Sequence, residues 1–133
     1  SHDPPIPTLA GAPEPVRERL IMGGALDAAA RAARQERVLS DAARQVTGES
    51  ERTPLNPAWD QAFLAHLAAG DEAAIRAMDD EAITREGGCG GHEIRAWVAI
   101  AAAARAAGVQ DFQLRYYRAI PEWVAGYALM TAV

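Results

Sequence analysis

Apolar positions recur at helical spacing over most of the chain and change to alternation only towards its end. Val16 to Met22 reads as a short helix, with Glu14 and Pro15 near its start and Gly23-Gly24 as its stop. Leu26 to Val46 is the longest helical stretch; Leu26, Ala30, Ala33, Val38, Ala42 and Val46 give it an approximate apolar face, and Gly48 ends it. Asn56-Pro57 then supplies an N-cap followed by proline at the first helical position. In the helix that follows, Trp59, Phe63 and Leu67 share one face, so it packs through large side chains. Gly70 ends it, and Asp71 caps a helix with Ala74, Ile75 and Met78 facing inward. Asp79 or Asp80 caps a further turn holding Ile83. The last helix runs on from a glycine-rich loop, Gly87-Gly88-Cys89-Gly90-Gly91, and carries Ile94, Trp97, Val98 and Ala101 on one face before Gly108.

Beyond Gly108 the period changes. Phe112, Leu114 and Tyr116 alternate with Gln113, Arg115 and Tyr117, which predicts a strand. The apolar, nearly uncharged run from Val124 to Val133 predicts a second, buried strand. At the other end, residues 1–15 hold five of the eight prolines and are expected to form an extended loop. The expected division is thus a proline-rich loop over 1–15, a helical region over 16–108 and two strands over 111–133. Two strands make a poor sheet alone, so the fold class expected is α/β, mostly helical here, with strands that belong to a larger sheet outside this sequence.

Composition narrows the function classes. The chain has 133 residues and is 50% hydrophobic, enough for one domain with a core and too apolar for general disorder. A net charge of -5 excludes a general nucleic-acid binder, and the arginines from Arg31 to Arg44, interleaved with Asp27, Glu36 and Asp41, read as a solvated face. All 13 basic residues are arginine, which excludes a Schiff-base or P-loop lysine. The single cysteine, Cys89, has no intramolecular disulfide partner and suits a reducing cytoplasm. No apolar run is long enough to span a membrane, so a soluble cytoplasmic protein is expected. The chain opens on Ser1-His2-Asp3 without a methionine, as expected of a processed product, a tag remnant or a segment of something longer.

Candidate chemistry is sparse. There is no Gly-x-Ser-x-Gly elbow and no dinucleotide fingerprint. Cys89 and His92 lack an evident third partner, while a zinc site needs three or four ligands. His66 sits on a packing face, where a histidine is ordinarily a hydrogen-bonded core or rim residue. Two candidates remain, His2 in the proline-rich loop and Glu93 where the glycine loop becomes a helix. Glu93 falls beside Trp97 and Ile100 at the edge of the apolar stripe. It is either a dipole-favoured, solvated acid in a first helical turn or a carboxylate paired with something, such as a metal ion.

Several stretches, in order, carry a resemblance. Ser1-His2-Asp3-Pro4-Pro5-Ile6-Pro7, Arg34-Gln35-Glu36-Arg37-Val38, Pro54-Leu55-Asn56-Pro57-Ala58-Trp59-Asp60, His92-Glu93-Ile94-Arg95-Ala96-Trp97-Val98-Ala99 and the run from Arg115 to Gly126 form that series. Together they resemble the C-terminal part of the class III extradiol ring-cleavage dioxygenases that act on 2,3-dihydroxyphenylpropionate and 2,3-dihydroxycinnamate. The resemblance implies a non-haem Fe(II) cofactor held by two histidines and one carboxylate, with a catechol and dioxygen as reactants. It implies Glu93 as the carboxylate metal ligand and His2 as the active-site acid/base, a task suited to imidazole. It further implies ring opening next to, rather than between, the hydroxyl-bearing carbons, and a homo-oligomer. Both histidine ligands belong to an N-terminal half absent from this sequence, so the chain alone is expected to be inactive. A cation for the substrate's side-chain carboxylate is also implied, with Arg115 and Arg118 as weak candidates. The alternative, from another class, is a non-catalytic helical subunit or interaction module of the same ancestry.

Overall fold

The computed structural model describes every residue except Ile6, Thr8 and Ala10, so the reading of the proline-rich loop lies partly outside the described residues. The described residues fold as six α-helices followed by a hairpin: α1 (Glu14–Met22), α2 (Ala28–Thr47), α3 (Pro57–Ala69), α4 (Glu72–Arg76), α5 (Asp80–Gly87), α6 (Ile94–Ala106), β1 (Phe112–Ile120) and β2 (Ala125–Ala132). Short 3₁₀ helices at Cys89–Glu93 and Pro121–Trp123 lead into α6 and join the strands. The mostly helical reading with two C-terminal strands is borne out.

The helix boundaries follow their caps. Asp27, Asn56, Asp71 and Asp79 each accept a backbone N–H from the residue three further on, in α2, α3, α4 and α5 respectively. Gly48 and Gly70 close α2 and α3 in the left-handed conformation, at φ of 75° and 67°. The core sits between α3, α6 and the hairpin. Phe63, Leu64, Leu67 and Ala101 are buried there, with Ile75, Met78, Ile94, Trp97, Val98, Phe112, Tyr117, Ala128 and Met130 packed around them. Arg105 lies over the Phe112 ring, 4.2 Å from its centroid, and donates to the carbonyls of Leu67 and Ala68 at the end of α3. That places a cation where a helix terminus leaves carbonyls unpaired.

Three expectations need correction. The strands pair antiparallel, but a bulge between Leu114 and Tyr116 puts an extra residue on β1. An extra residue inverts the alternation beyond it. Tyr117, not Tyr116, therefore joins the core, and Tyr116 is 47% exposed. The C-terminal strand is also not buried throughout: Tyr127 and Leu129 stand exposed on it. Lastly, α2 does not pack through its apolar stripe. Only Asp41 and Ala42 are buried along it, because the helix leans on the 3₁₀ turn Pro121–Trp123 rather than lying in the core.

Candidate functional site

The first three residues run as a strap through the middle of the fold. Ser1 is held by the first turn of α3: its Oγ donates to Asp60 at 2.9 Å and accepts the Asn56 N–H at 2.8 Å, and its backbone nitrogen also donates to Asp60. The Ser1 carbonyl accepts from the Gly126 N–H at 2.9 Å, and His2 bridges antiparallel to Ala125, so the strap lies along the free edge of β2. On its other side it is bonded to the glycine loop. The His2 N–H donates to the Gly87 carbonyl at 2.7 Å, and the Gly90 N–H donates to the His2 carbonyl at 2.8 Å.

This contact explains the glycines. A Cβ on Gly90 would come within 2.6 Å of His2 Nδ1, and one on Gly88 within 2.6 Å of the Asp3 Cβ and 2.7 Å of the His2 carbonyl. Gly88 also takes φ 76°, ψ 177°, a region open in practice to glycine alone. Beside it, a Cβ on Gly87 would meet the Trp59 ring at 2.7 Å. The loop is thus a cradle for the strap. It is not a flexible segment ahead of a rigid helix, because Cys89–Glu93 forms a 3₁₀ helix that runs directly into α6.

His2 and Glu93 meet here. His2 Nδ1 lies 3.7 Å from Glu93 Oε1, too long for a hydrogen bond and close enough for both to face one ligand. The His2 side chain is 27% exposed and that of Glu93 77% exposed, and the Glu93 carboxylate accepts no hydrogen bond among the described residues. They open onto a cleft of about 300 Å³ whose other walls include Phe63, Trp97, Tyr117 and Tyr127. Glu93 is thus solvated, and its carboxylate lies near His2 at the edge of the cleft.

The remaining candidates fall elsewhere. His66 Nδ1 pairs with Asp71 Oδ2 at 3.1 Å, as expected of a rim histidine. His92 Nε2 lies 2.8 Å from Thr84 Oγ1, away from the cleft lining. Neither Arg115 nor Arg118 lines the cleft, and the Arg115 Nε donates to Thr131 at 2.9 Å. The described cleft lining holds carboxylates and a histidine but no arginine. Nor do three metal-binding side chains converge among the described residues. The donor set therefore fits one carboxylate leg of a metal site and does not make a site by itself.

Two further carboxylates hold the strap in place, and of these Asp60 also lines the cleft. Asp60 is buried at 6% exposure and receives the Tyr117 hydroxyl at 2.7 Å in addition to Ser1. Burial, and then Asp60, hold the Tyr117 hydroxyl far above its ordinary pKa. Asp3, at 9% exposure, accepts the Thr53 N–H at 2.9 Å and the Cys89 N–H at 3.1 Å. Burial pushes the Asp3 carboxyl up, but the hydrogen bonds with Cys89 and Thr53 outweigh it and leave the pKa lowered. The Cys89 thiol, partly buried and beside Asp3, is pushed up to about 11. A signal for Asp60 was available, since it shares the helical stripe of Phe63, Leu64 and Leu67.

Comparison with known proteins gives the class. Residues 28–128, which include Glu93, match the LigB family, described as the catalytic LigB subunit of aromatic ring-opening dioxygenase; the chain belongs to this family. More particularly, it is 52% identical over 132 residues to a 2,3-dihydroxyphenylpropionate/2,3-dihydroxicinnamic acid 1,2-dioxygenase of Cupriavidus pinatubonensis. Proteins of the same description from Burkholderia vietnamiensis and Mycolicibacterium paratuberculosis are 48% and 45% identical. Each alignment covers 99% of this chain and 42% of the relative, so the chain spans well under half the length of the curated relatives it matches.

Proposed function

We propose that residues 1–133 form one wall of an iron(II)-dependent site for extradiol opening of a catechol bearing a carboxylate side chain, such as 3-(2,3-dihydroxyphenyl)propionate. The observation that carries this reading is the meeting of His2 and Glu93, from opposite parts of the sequence, 3.7 Å apart at an aromatic-walled cleft. Membership of a ring-opening dioxygenase family and the names of the relatives support the reaction class.

In this reading Glu93 contributes one carboxylate ligand, and the two histidine ligands come from an N-terminal half. Iron(II), when bound, supplies the electron chemistry that couples a catechol to dioxygen. The chain's own residues bind, exclude water and move protons. His2 takes a proton from a catechol hydroxyl at an imidazole nitrogen and returns one later in turnover. Trp97 and Tyr127 offer apolar surface to the ring and keep water from it. The cation for the substrate carboxylate comes from outside this cleft wall, whose described lining has no arginine. The exposed Tyr116 and Leu129 on the outer sheet face support coverage by further polypeptide.

The test is reconstitution. With the N-terminal half, iron(II), the catechol and oxygen, the coloured ring-opened product forms; the 133-residue chain alone gives none. His2→Ala and Glu93→Gln each lower turnover by at least about 100-fold, the range of a lost general acid/base or its partner group. A reconstituted pair that stays colourless, beside a relative that turns over, sinks the reading.

A further inference from the structure

We propose that Asp3 is a positioning residue that sets the distance between His2 and Glu93 by clipping the strap to the 3₁₀ helix carrying Glu93. This rests on the reading of His2 and Glu93 given above and extends it to how the pair is held. Neither residue is fixed by a side-chain hydrogen bond to the other, since 3.7 Å is too long for one. Their separation is instead set by the backbones that carry them.

Asp3 joins those backbones. Its Oδ1 accepts the Cys89 N–H, the first residue of the 3₁₀ helix that ends at Glu93. Its Oδ2 accepts the Thr53 N–H from the segment ahead of α3. One buried carboxylate thus ties three segments distant in sequence, and it does so from the residue next to His2. Gly88 and Gly90 let the surfaces close, because a side chain at either would push the strap away. A carboxylate suits the task better than an amide. Both of its oxygens accept, and two N–H groups point at it, whereas an amide would turn a donor towards one of them.

The experiment compares Asp3→Asn and Gly90→Ala with the unaltered protein, in the chain reconstituted with its N-terminal half. Asp3→Asn loosens the clip from one side; Gly90→Ala displaces His2 from the other. Well below the melting temperature, each lowers kcat by about 10–100-fold, the scale of a displacement near 1 Å, while KM stays within about threefold. The double variant loses no more than the worse single variant, because both changes spoil one distance. Alkylation of Cys89 at pH 8 also becomes faster in Asp3→Asn, since the thiol loses the neighbour that disfavours its thiolate. A folded Asp3→Asn protein with kcat within twofold of the parent, or losses that multiply in the double variant, overturns the proposal. So does an unchanged alkylation rate, which is read whether or not ring opening is seen. Failure of the unaltered protein to open the ring would count against the function and leave the alkylation result to judge the clip.

Discussion

Helices α2 and α6 are both rich in alanine, yet they are held by opposite means. Local bonds close α2 at both ends: Asp27 receives the Ala30 N–H at 2.7 Å, and the Glu49 N–H returns to the Arg44 carbonyl at 2.8 Å. Along its length only Asp41 and Ala42 are buried, and Leu39 is 66% exposed. Helix α6 has no side-chain N-cap. It is placed by Ile94, Trp97, Val98 and Ala101 packing onto Phe63, Leu64 and Leu67. Caps can decide that a helix exists; only packing decides where it lies. For α6 the position matters, because it delivers Glu93 to the cleft.

The largest effect that sharpens this contrast lies in the core beneath α6. Phe63→Ala is expected to destabilise the fold by about 3–5 kcal/mol, whereas Leu39→Ala on α2 stays within about 0.5 kcal/mol. Denaturant unfolding measures both. Equal losses would show that the outer face of α2 is packed and would break the comparison.

Next come two glycines with nearly the same φ. Gly48, which ends α2 at φ 75°, has no atom of the described residues within 4 Å of where a Cβ would stand, so Gly48→Ala meets only the left-handed backbone penalty of about 1 kcal/mol. Gly88, at φ 76°, would drive a Cβ into Asp3 and the His2 carbonyl. Gly88→Ala is therefore expected to lose at least about 2 kcal/mol and to depress activity as well. If the two alanine variants melt together, the cradle is not tight.

The smallest effect is a pH dependence confined to the strap. Asp3 has a lowered pKa in the folded chain, so its stabilisation is present above the ordinary aspartate range. It is lost as the pH falls through the folded value. Asp3→Asn is expected to be less stable than the parent at pH 7 and to close that gap as the pH falls below the ordinary aspartate range. Denaturant midpoints at several pH values decide it, and a gap that does not change with pH would exclude the carboxylate charge as the cause.

Much of the fold was legible because its signals are local. Asn56-Pro57, Asp71, Asp79, Gly48 and Gly70 act on their immediate neighbours, and each does in the structure what its position implied. His66 pairing with Asp71 was similarly within reach of near-neighbour reasoning. The cleft was only half legible. His2 and Glu93 stood out through the resemblance, while Asp3 and Asp60 did not, since their partners lie far along the chain at Cys89, Thr53, Ser1 and Tyr117. The bulge beside Arg115 escaped for a related reason. A strand pattern read alone assumes one residue per partner, and the extra residue shows only in the register with β2.

By itself, then, the sequence determined where helices start and stop, the change to strands after Gly108, the absence of lysine chemistry and the family to which the chain belongs. Those properties depend on residue type and on neighbours a few positions away. Tertiary structure alone decided that the glycine loop is a cradle for the strap, and that a buried aspartate beside His2 reaches the 3₁₀ helix that ends at Glu93. It also decided that Glu93 lies 3.7 Å from His2, within ion-pair reach but without a hydrogen bond between them. These are distances between segments far apart in the chain, and they are set by which surfaces can approach, a property no single stretch contains.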